Sequence, residues 1–537
     1  MKLSSEVSEA KLRGGFYSSQ QLVDICLTKI RALIGDRSEL RVLEPSAGDG
    51  AFIRGIAQHP LAGQVAILDG VELLEGEAAV ARDSLEEHGF NGSIIADSFL
   101  SANVGHLTGY DVAVGNPPYL RFQFMDSNDF AGVREVEGRV GSTIGRVSNL
   151  WIPIFLSALL RLKEGGAFSF ILPSEFLTGV SARLVREWLT LNTAALQIEI
   201  FPPKSFPGVL QEVIIVSGRV VSAGDAGRTV QVTDHVIERV HIHNLDSTLA
   251  TWTAFTIAPG DLDALRLARS LSVVRELKEV AQIGVSTVTG ANDYFTYADP
   301  TLVRYELEDW SRPLLSRSRQ VPGFEFTRED WDAGRSRGEV AWLLDTGMPP
   351  GEVELNEGLR AYIQQGEARD IHTRYKTRIR SPWYKVPVVR PKTLLLSKRS
   401  HYFPRLIANA AGALTTDTIY QGELRPGYEG AERQFVGGFH NSLTLLTAEI
   451  EGRSFGGGVL ELVPSEIRRL QVIDPTVLSD ELSRIDSLAR HYGYESDSLI
   501  EVTNEAVSSS VAELDSDILA ALEHARQQLL ARRLSRN

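Results

Sequence analysis

Asn116-Pro117-Pro118-Tyr119 follows the short apolar run Asp111-Val112-Ala113-Val114-Gly115, and its residue types suit one kind of chemistry. The exocyclic amine of adenine is a poor nucleophile because its lone pair is delocalised into the ring. A site that methylates such a nitrogen must hold both N–H groups with acceptors and draw the nitrogen toward tetrahedral geometry. The Asn116 side-chain oxygen is one acceptor and the Pro117 carbonyl a second. Two prolines stiffen the loop, so neither acceptor has to reorganise during the reaction. Tyr119 offers a flat face on which a planar base can stack. Taken alone, the tetrapeptide is also compatible with a proline-stiffened turn after a strand.

The elements that must position this loop lie upstream. Arg41-Val42-Leu43-Glu44 reads as a buried strand, Pro45-Ser46-Ala47-Gly48-Asp49-Gly50 as a tight turn, and Ala51 as the opening of a helix. Gly48 and Gly50 allow close backbone approach to a ligand, as in dinucleotide-binding turns, although the pattern is not GxGxxG. A second strand at Val65-Ala66-Ile67-Leu68 leads to Glu72, about 20 residues past the glycine turn, where an acid can accept from ribose hydroxyls. A third, Ser93-Ile94-Ile95-Ala96, ends in Asp97-Ser98-Phe99, and the fourth ends in Asn116. Strand and helix alternate, with polar or glycine-rich groups at each strand's end. This predicts an α/β doubly wound sheet that binds a nucleoside along its carboxyl edge.

With these motifs in this order, the chain resembles the gamma-type DNA adenine-N6 methyltransferases of bacterial restriction–modification systems, the TaqI-like group. In that family the S-adenosylmethionine motif precedes NPPY, and a target-recognition domain follows both. The resemblance implies a Rossmann-like S-adenosylmethionine-dependent methyltransferase sheet followed by a mixed α+β recognition domain. It implies that Gly14-Gly15-Phe16-Tyr17-Ser18 is the motif near the cofactor's methionine end, with Tyr17 and Ser18 as contacts; Ser18-Ser19 stands where Thr-Pro commonly follows the aromatic. Glu44, Pro45, Ser46, Gly48 and Gly50 match the cofactor loop, Glu72 the ribose acid, and Asp97 with Phe99 the pair on the cofactor's adenine, with Asn116 also against the cofactor. The helix from Trp151 through Arg161 and the strand Ala167 to Pro173 match the family's next unit. The family places a Phe opposite the Tyr on the flipped base, just before a Val-Ile-Ile-Val strand. Phe206, ahead of Val213-Ile214-Ile215-Val216, is that candidate, with Phe201 as the fallback. Residues 285–295 resemble the opening of the recognition domain, and the glycine-rich stretch 453–460 an element near its end.

The implied reaction is direct attack by N6 on the sulfonium methyl, so no enzyme nucleophile is needed. Cys26, the only cysteine, has no expected catalytic role, which separates the site from cytosine-C5 chemistry and its thiolate. No Cys/His cluster has metal-ligand spacing, and no metal is expected. Adenine N6 is favoured over cytosine N4 by motif order.

At 537 residues the chain suggests two domains, and 43% hydrophobic with 23% charged residues is the composition of a soluble globular protein. No apolar run is long enough to span a membrane, and one cysteine fits a reducing cytoplasm, here that of a bacterium at its nucleoid. The net charge of −14 opposes DNA binding unless positive charge is concentrated. It is concentrated between Arg369 and Arg405, where eleven Lys or Arg residues accompany one acid, Asp370, and where Trp383, Tyr384, His401, Tyr402 and Phe403 are interleaved. Arg374, Lys376, Arg378, Arg380, Lys385, Lys398 and Arg399 are the candidate contacts to double-stranded DNA, joined by Arg121 just after the catalytic loop. Residues 127–147 are expected as a mobile, polar loop touching DNA.

The expected organisation is a catalytic domain at 1–235, a recognition domain at 236–480, and a C-terminal helical segment at 481–537 ending in a frayed tail. Only about 60 residues follow the recognition domain, too few for a nuclease domain, so any cognate restriction endonuclease is expected to be a separate protein and this chain a monomer. Two other functions use the same motifs or dispense with them: an RNA or protein-glutamine methyltransferase, and a DNA-binding module with an inactive site.

Overall fold

Short runs of branched and apolar residues build one large sheet in the first half of the chain. The computed structural model describes residues 18–120, 129–145, 149–202, 205–206, 212–222, 228–245, 249, 251–347, 356–455 and 457–535. The strands are β1 (Leu40–Glu44), β2 (Val65–Glu72), β3 (Gly92–Ala96), β4 (Tyr110–Gly115), β5 (Leu162–Pro173), β6 (Thr193–Ile200), β7 (Val213–Val220), β8 (Thr229–Asp234) and β9 (Arg239–Asn244). They lie in the order β3-β2-β1-β4-β5-β7-β6-β8-β9. Strands β1 to β5 are mutually parallel, and β7 runs antiparallel between β5 and β6. Every residue of β4 is buried, as expected for a strand covered on both faces.

Helices α1 (Gln20–Ile34), α2 (Ala51–Gln58), α3 (Glu75–Glu87), α4 (Asp129–Val140) and α5 (Trp151–Leu159) precede or cross between the parallel strands. β1 crosses through α2 to β2 on one side, whereas β4 lies on its other side, with Val42 opposite Val112. The strand order therefore reverses between β1 and β4, and this opens a crevice beyond their carboxyl ends. In α1, Leu22, Val23, Cys26, Leu27, Ile30 and Ile34 are buried along one stripe, and Ser19 caps the helix by accepting from the Leu22 N–H. Cys26 is sealed in this core, where burial pushes its thiol up to about 12. α5 is buried on all sides, with Phe155 edge-on to Phe168 and Phe170 of β5.

Two expectations change. Residues 129–140 form α4 rather than a loop: Val133 and Val136 supply its buried stripe, and Gly132 lies so close to the Leu100 carbonyl that a Cβ there would stand 2.0 Å from its oxygen. A boundary at 235/236 would cut the β8–β9 hairpin, which extends the large sheet; the chain divides instead into units Met1–Pro259 and Gly260–Asn537. The C-terminal helix packs as far as Leu534, with Arg532 and Arg533 7% and 4% exposed, and the last two residues of the expected tail lie outside the described residues.

The second unit is mixed α+β. One four-stranded sheet orders Ala281–Gly284, Ile419–Leu424, Leu394–Ser397 and Leu406–Ala408, all antiparallel. A second joins Thr296–Tyr297, Trp342–Leu344, Ser311–Leu315 and Leu414–Thr415. Within the glycine-rich stretch, Arg453–Phe455 pairs antiparallel with Val459–Glu461. Helices Leu482–Tyr492, Asp497–Ser510 and Ser516–Leu534 belong to this unit rather than to a separate segment; Leu482, Ile485, Leu499 and Ile500 share its core with Phe435 and Phe439. Among the described residues, no helix is long and apolar enough to cross a membrane, and no group of three or more His, Cys, Asp or Glu gathers as a metal site.

Candidate active site

The carboxyl ends of β1, β2, β3 and β4 surround a cavity of about 440 Å³. Gly48 and Gly50 of the turn after β1 have φ of +53° and +84°, the left-handed region that glycine enters without strain. The turn is tied to β2: the Ala47 N–H donates to the Val71 carbonyl (2.9 Å) and the Gly48 N–H to the Glu72 carboxylate (2.9 Å). The Leu74 N–H also donates to Glu72, at 3.0 Å. A carboxylate has about four acceptor positions, so Glu72 can hold this loop and still receive donors from the cavity.

Glu44, at the end of β1, is 2% exposed, and its Oε2 has no hydrogen-bond partner among the described residues. Burial first, then the like charges of Glu72 and Asp49, push its carboxyl well above the ordinary range, against a weaker pull from Arg54. Asp97, after β3, is in the opposite condition. It accepts from Asn103 Nδ2 (2.8 Å), the Ser98 N–H (2.7 Å) and Ser101 Oγ (3.1 Å). The Asn103 bond, with those from Ser98 and Ser101, outweighs desolvation and holds its carboxyl below the usual range. Phe99 is buried with the Arg161 guanidinium 4.4 Å from its ring centroid.

The loop after β4 is fixed from several sides. Asn116 Nδ2 donates to Ser18 Oγ (3.2 Å), and Ser46 Oγ donates to the Asn116 carbonyl (3.2 Å), joining the β1 and β4 loops. Asn116 Oδ1 accepts from the Tyr119 hydroxyl (2.9 Å), which also lies 3.1 Å from the Ile171 carbonyl. An amide oxygen accepts two hydrogen bonds, so the Tyr119 contact is compatible with a second donor. Burial pushes the Tyr119 phenol well above its ordinary value, and it acts as a neutral donor.

Of the residues singled out from sequence, Ser18, Glu44, Pro45, Ser46, Gly48, Glu72, Asp97, Phe99 and Asn116 line the cavity. Gly50, Pro117, Tyr119 and Phe206 do not: Gly50 begins α2 behind the turn, and Pro117 is buried. Tyr119 and Phe206 share the apolar cluster that also holds Cys26 and Ile171. Phe206 stands edge-on to Phe201 at 5.0 Å, whereas Phe201 stacks on His235 at 5.0 Å and 3°, so one face of the fallback aromatic is covered. Tyr17 and Arg121 lie outside the described residues. Sequence reasoning missed Leu73, Leu74 and Asp129, which also line the cavity. Leu73 and Leu74 are 66% and 41% exposed. Two leucines directly after a strand-end acid, where a solvent loop would be polar, were the available signal.

The basic segment is heterogeneous. Arg374 pairs with Asp293 through both terminal nitrogens (2.6 and 3.0 Å). Arg380 donates to the Val288 and Thr289 carbonyls (2.7 Å each) and is held below its ordinary pKa by desolvation. Arg405 is buried beneath Tyr494, its guanidinium 3.6 Å from the ring centroid, and donates to the Val321 carbonyl. Lys398 and Arg399 both lie by Glu461, at 3.8 and 2.6 Å. Lys376, Arg378 and Lys385 are exposed. Tyr384 and Phe403 are core residues.

Two protein-family models match this chain in succession: the Eco57I restriction-modification methylase over residues 73–206, and the C-terminal domain of the type II methyltransferase M.Eco57I over residues 249–508. Between them they take in most of the chain. The chain belongs to the restriction–modification methylases. The methylase is 21% identical to the type II methyltransferase M.AccI of Acinetobacter calcoaceticus, with 86% of each chain covered. It is also 21% identical to M.XamI of Xanthomonas campestris pv. amaranthicola, over 86% of this chain and 85% of that one. Among solved structures, the type IIL restriction-modification enzyme MmeI in complex with DNA shares the fold of the methylase, with a TM-score of 0.59 at 12% identity over 98% of this chain and 81% of that one.

Proposed function

We propose that this methylase transfers a methyl group from S-adenosylmethionine to N6 of an adenine turned out of duplex DNA. The observation that carries the reading is that Asn116 and Pro118 of the NPPY loop share one cavity with the acids after β1, β2 and β3.

The donor set fits the cofactor. Glu44 Oε2 is buried without a partner among the described residues, and a cation beside it would restore the charge that burial suppresses. Glu72 suits ribose hydroxyls, and Asp97 with Phe99 suits the amine and ring of an adenine. Ser18, beside Asn116, and Tyr17 would stand at the methionine end. When bound, S-adenosylmethionine supplies an electrophilic methyl group on a sulfonium.

The chain's own residues hold the nitrogen that attacks. Asn116 Oδ1 and the Pro117 carbonyl accept the two N–H bonds of the target amine and bind them more strongly as positive charge develops on N6. The bond to Ser18 and those from Ser46 and Tyr119 preset the Asn116 loop before the base arrives. Stacking by Tyr119 and Phe206 would offset the loss of base pairing. Lys376, Arg378, Lys385, Lys398 and Arg399 would supply phosphate contacts. The same reading makes the chain the modification enzyme of its system, a monomer in the bacterial cytoplasm with a separate restriction endonuclease.

The test is to express the protein in a host without DNA methylases and map modified bases by single-molecule sequencing, with Asn116→Ala as control. N6-methyladenine at one short motif, absent in the control, is the expected result. N4-methylcytosine would replace the target base. Unmodified DNA from soluble protein that binds S-adenosylmethionine would redirect the activity to RNA or protein glutamine. Failure to bind S-adenosylmethionine would leave an inactive DNA-binding module.

A further inference from the structure

Residues 374–380 are anchored on one side and bare on the other. Thr377, fully buried, donates to the Ile371 carbonyl (2.5 Å) and lies 2.9 Å from the Arg374 carbonyl. Arg374 is held by Asp293, and Arg380 by the Val288 and Thr289 carbonyls. Between these anchors, Tyr375 and Ile379 are each 65% exposed. They stand four residues apart, hence on the same side of the turn. The Lys376 ammonium and the Arg378 guanidinium lie 5.6 and 5.7 Å from the Tyr375 ring centroid, within cation–π range.

Large apolar side chains on a braced segment lose contact with nothing when they stay in water, and they gain only when a partner covers them. The partner must be anionic to suit the flanking cations, in a chain whose net charge is −14. It must also present flat apolar faces to suit an aromatic and a branched aliphatic side chain. Stacked bases between phosphates meet both demands.

We infer that residues 374–380 form a DNA-inserting element, in which Tyr375 and Ile379 pack against base faces at one step of the duplex. Lys376 and Arg378 pair with the flanking phosphates, while Arg374 and Arg380 brace the element instead of touching DNA. The inference rests on the DNA reading above and names how that partner is held.

The experiment measures equilibrium binding of a duplex bearing the mapped motif, across a salt series, for wild type, Tyr375→Ala, Tyr375→Phe, Ile379→Ala and Lys376→Ala. All three positions tested are exposed, and thermal unfolding confirms that each variant is folded. Tyr375→Ala is expected to weaken binding about tenfold or more without changing the slope of log affinity against log salt. Tyr375→Phe retains the flat face and should bind within about twofold of wild type. Lys376→Ala should lower the slope by about one. Unchanged affinity in Tyr375→Ala and Ile379→Ala, from a wild type that binds and methylates the duplex, overturns the insertion alone. Failure of Tyr375→Phe to restore binding also overturns it, since the hydroxyl would then be the contact. A wild type that binds no duplex overturns the DNA reading with it.

Discussion

Buried charge is treated in opposite ways in the two units. In the first, Glu44 ends β1 at 2% exposure with Oε2 unpartnered among the described residues. In the second, Arg533 and Glu449 are buried nearly as deeply, but they meet through two N–H···O bonds of 2.9 and 2.6 Å. The same guanidinium donates to the His401 carbonyl at 2.7 Å. That pair joins helices Ser442–Glu451 and Ser516–Leu534 and is complete within the chain. The charged form of Glu44 is destabilising where it stands, and none of the described residues completes it. An unpaired buried charge is a poor stabiliser and an effective receptor; a paired one is the reverse.

The largest effect that could break this contrast is on stability. Arg533→Ala leaves Glu449 buried without its partner and should lower the unfolding free energy by about 3–5 kcal/mol. Urea denaturation measures it, and a loss under about 1 kcal/mol would mean that solvent reaches the pair after all. Next comes catalysis: Asn116→Ala should reduce kcat by about 10²–10³ while S-adenosylmethionine affinity, by calorimetry, stays near wild type. Loss of cofactor affinity instead would make Asn116 part of the cofactor site only.

Glu44→Gln sharpens the contrast from the other side. It should weaken S-adenosylmethionine binding about tenfold, the worth of roughly one pKa unit of differential interaction. Its stability effect has a definite sign. The folded carboxyl titrates above the unfolded one, so the folded state holds the extra proton between the two values. Wild-type stability therefore falls as pH rises from the ordinary glutamate value through the raised one, and the full loss remains above it. Glu44→Gln should flatten that fall, and superimposable stability–pH curves would remove Glu44 as its source. The smallest effect belongs to Arg374→Ala, which breaks an exposed pair with Asp293 and should change stability by about 0–1 kcal/mol; a larger change would show that the brace bears more of the fold than its exposure suggests.

The polar carboxyl edge of the sheet was legible because backbone chemistry dictates it. A buried parallel strand must end in a turn, and Glu44, Glu72, Asp97 and Asn116 stand one at each such end. The basic segment was legible only as charge. Composition cannot tell Arg380, which satisfies two carbonyls, from Lys385, which is exposed. β9 was missed because its alternation is inverted: His241 and His243 are buried, while Val240 and Ile242 are 56% and 58% exposed. α4 was missed because two valines make a thin stripe, and glycine within it signals a loop. The Arg533–Glu449 pair was not legible because its partners lie 84 residues apart.

Gly132 has a consequence of its own. Its missing side chain lets α4 rest on the Leu100 carbonyl, next to Phe99, while Asp129 at the head of the same helix lines the cavity. The spacing between two walls of the pocket is thus set by the thickness of a bare backbone. In a saturation scan scored for methylation, position 132 should tolerate no replacement, alanine included, although it touches neither ligand. A map of forbidden substitutions would mark it as a spacer whose dimension, rather than its chemistry, is selected.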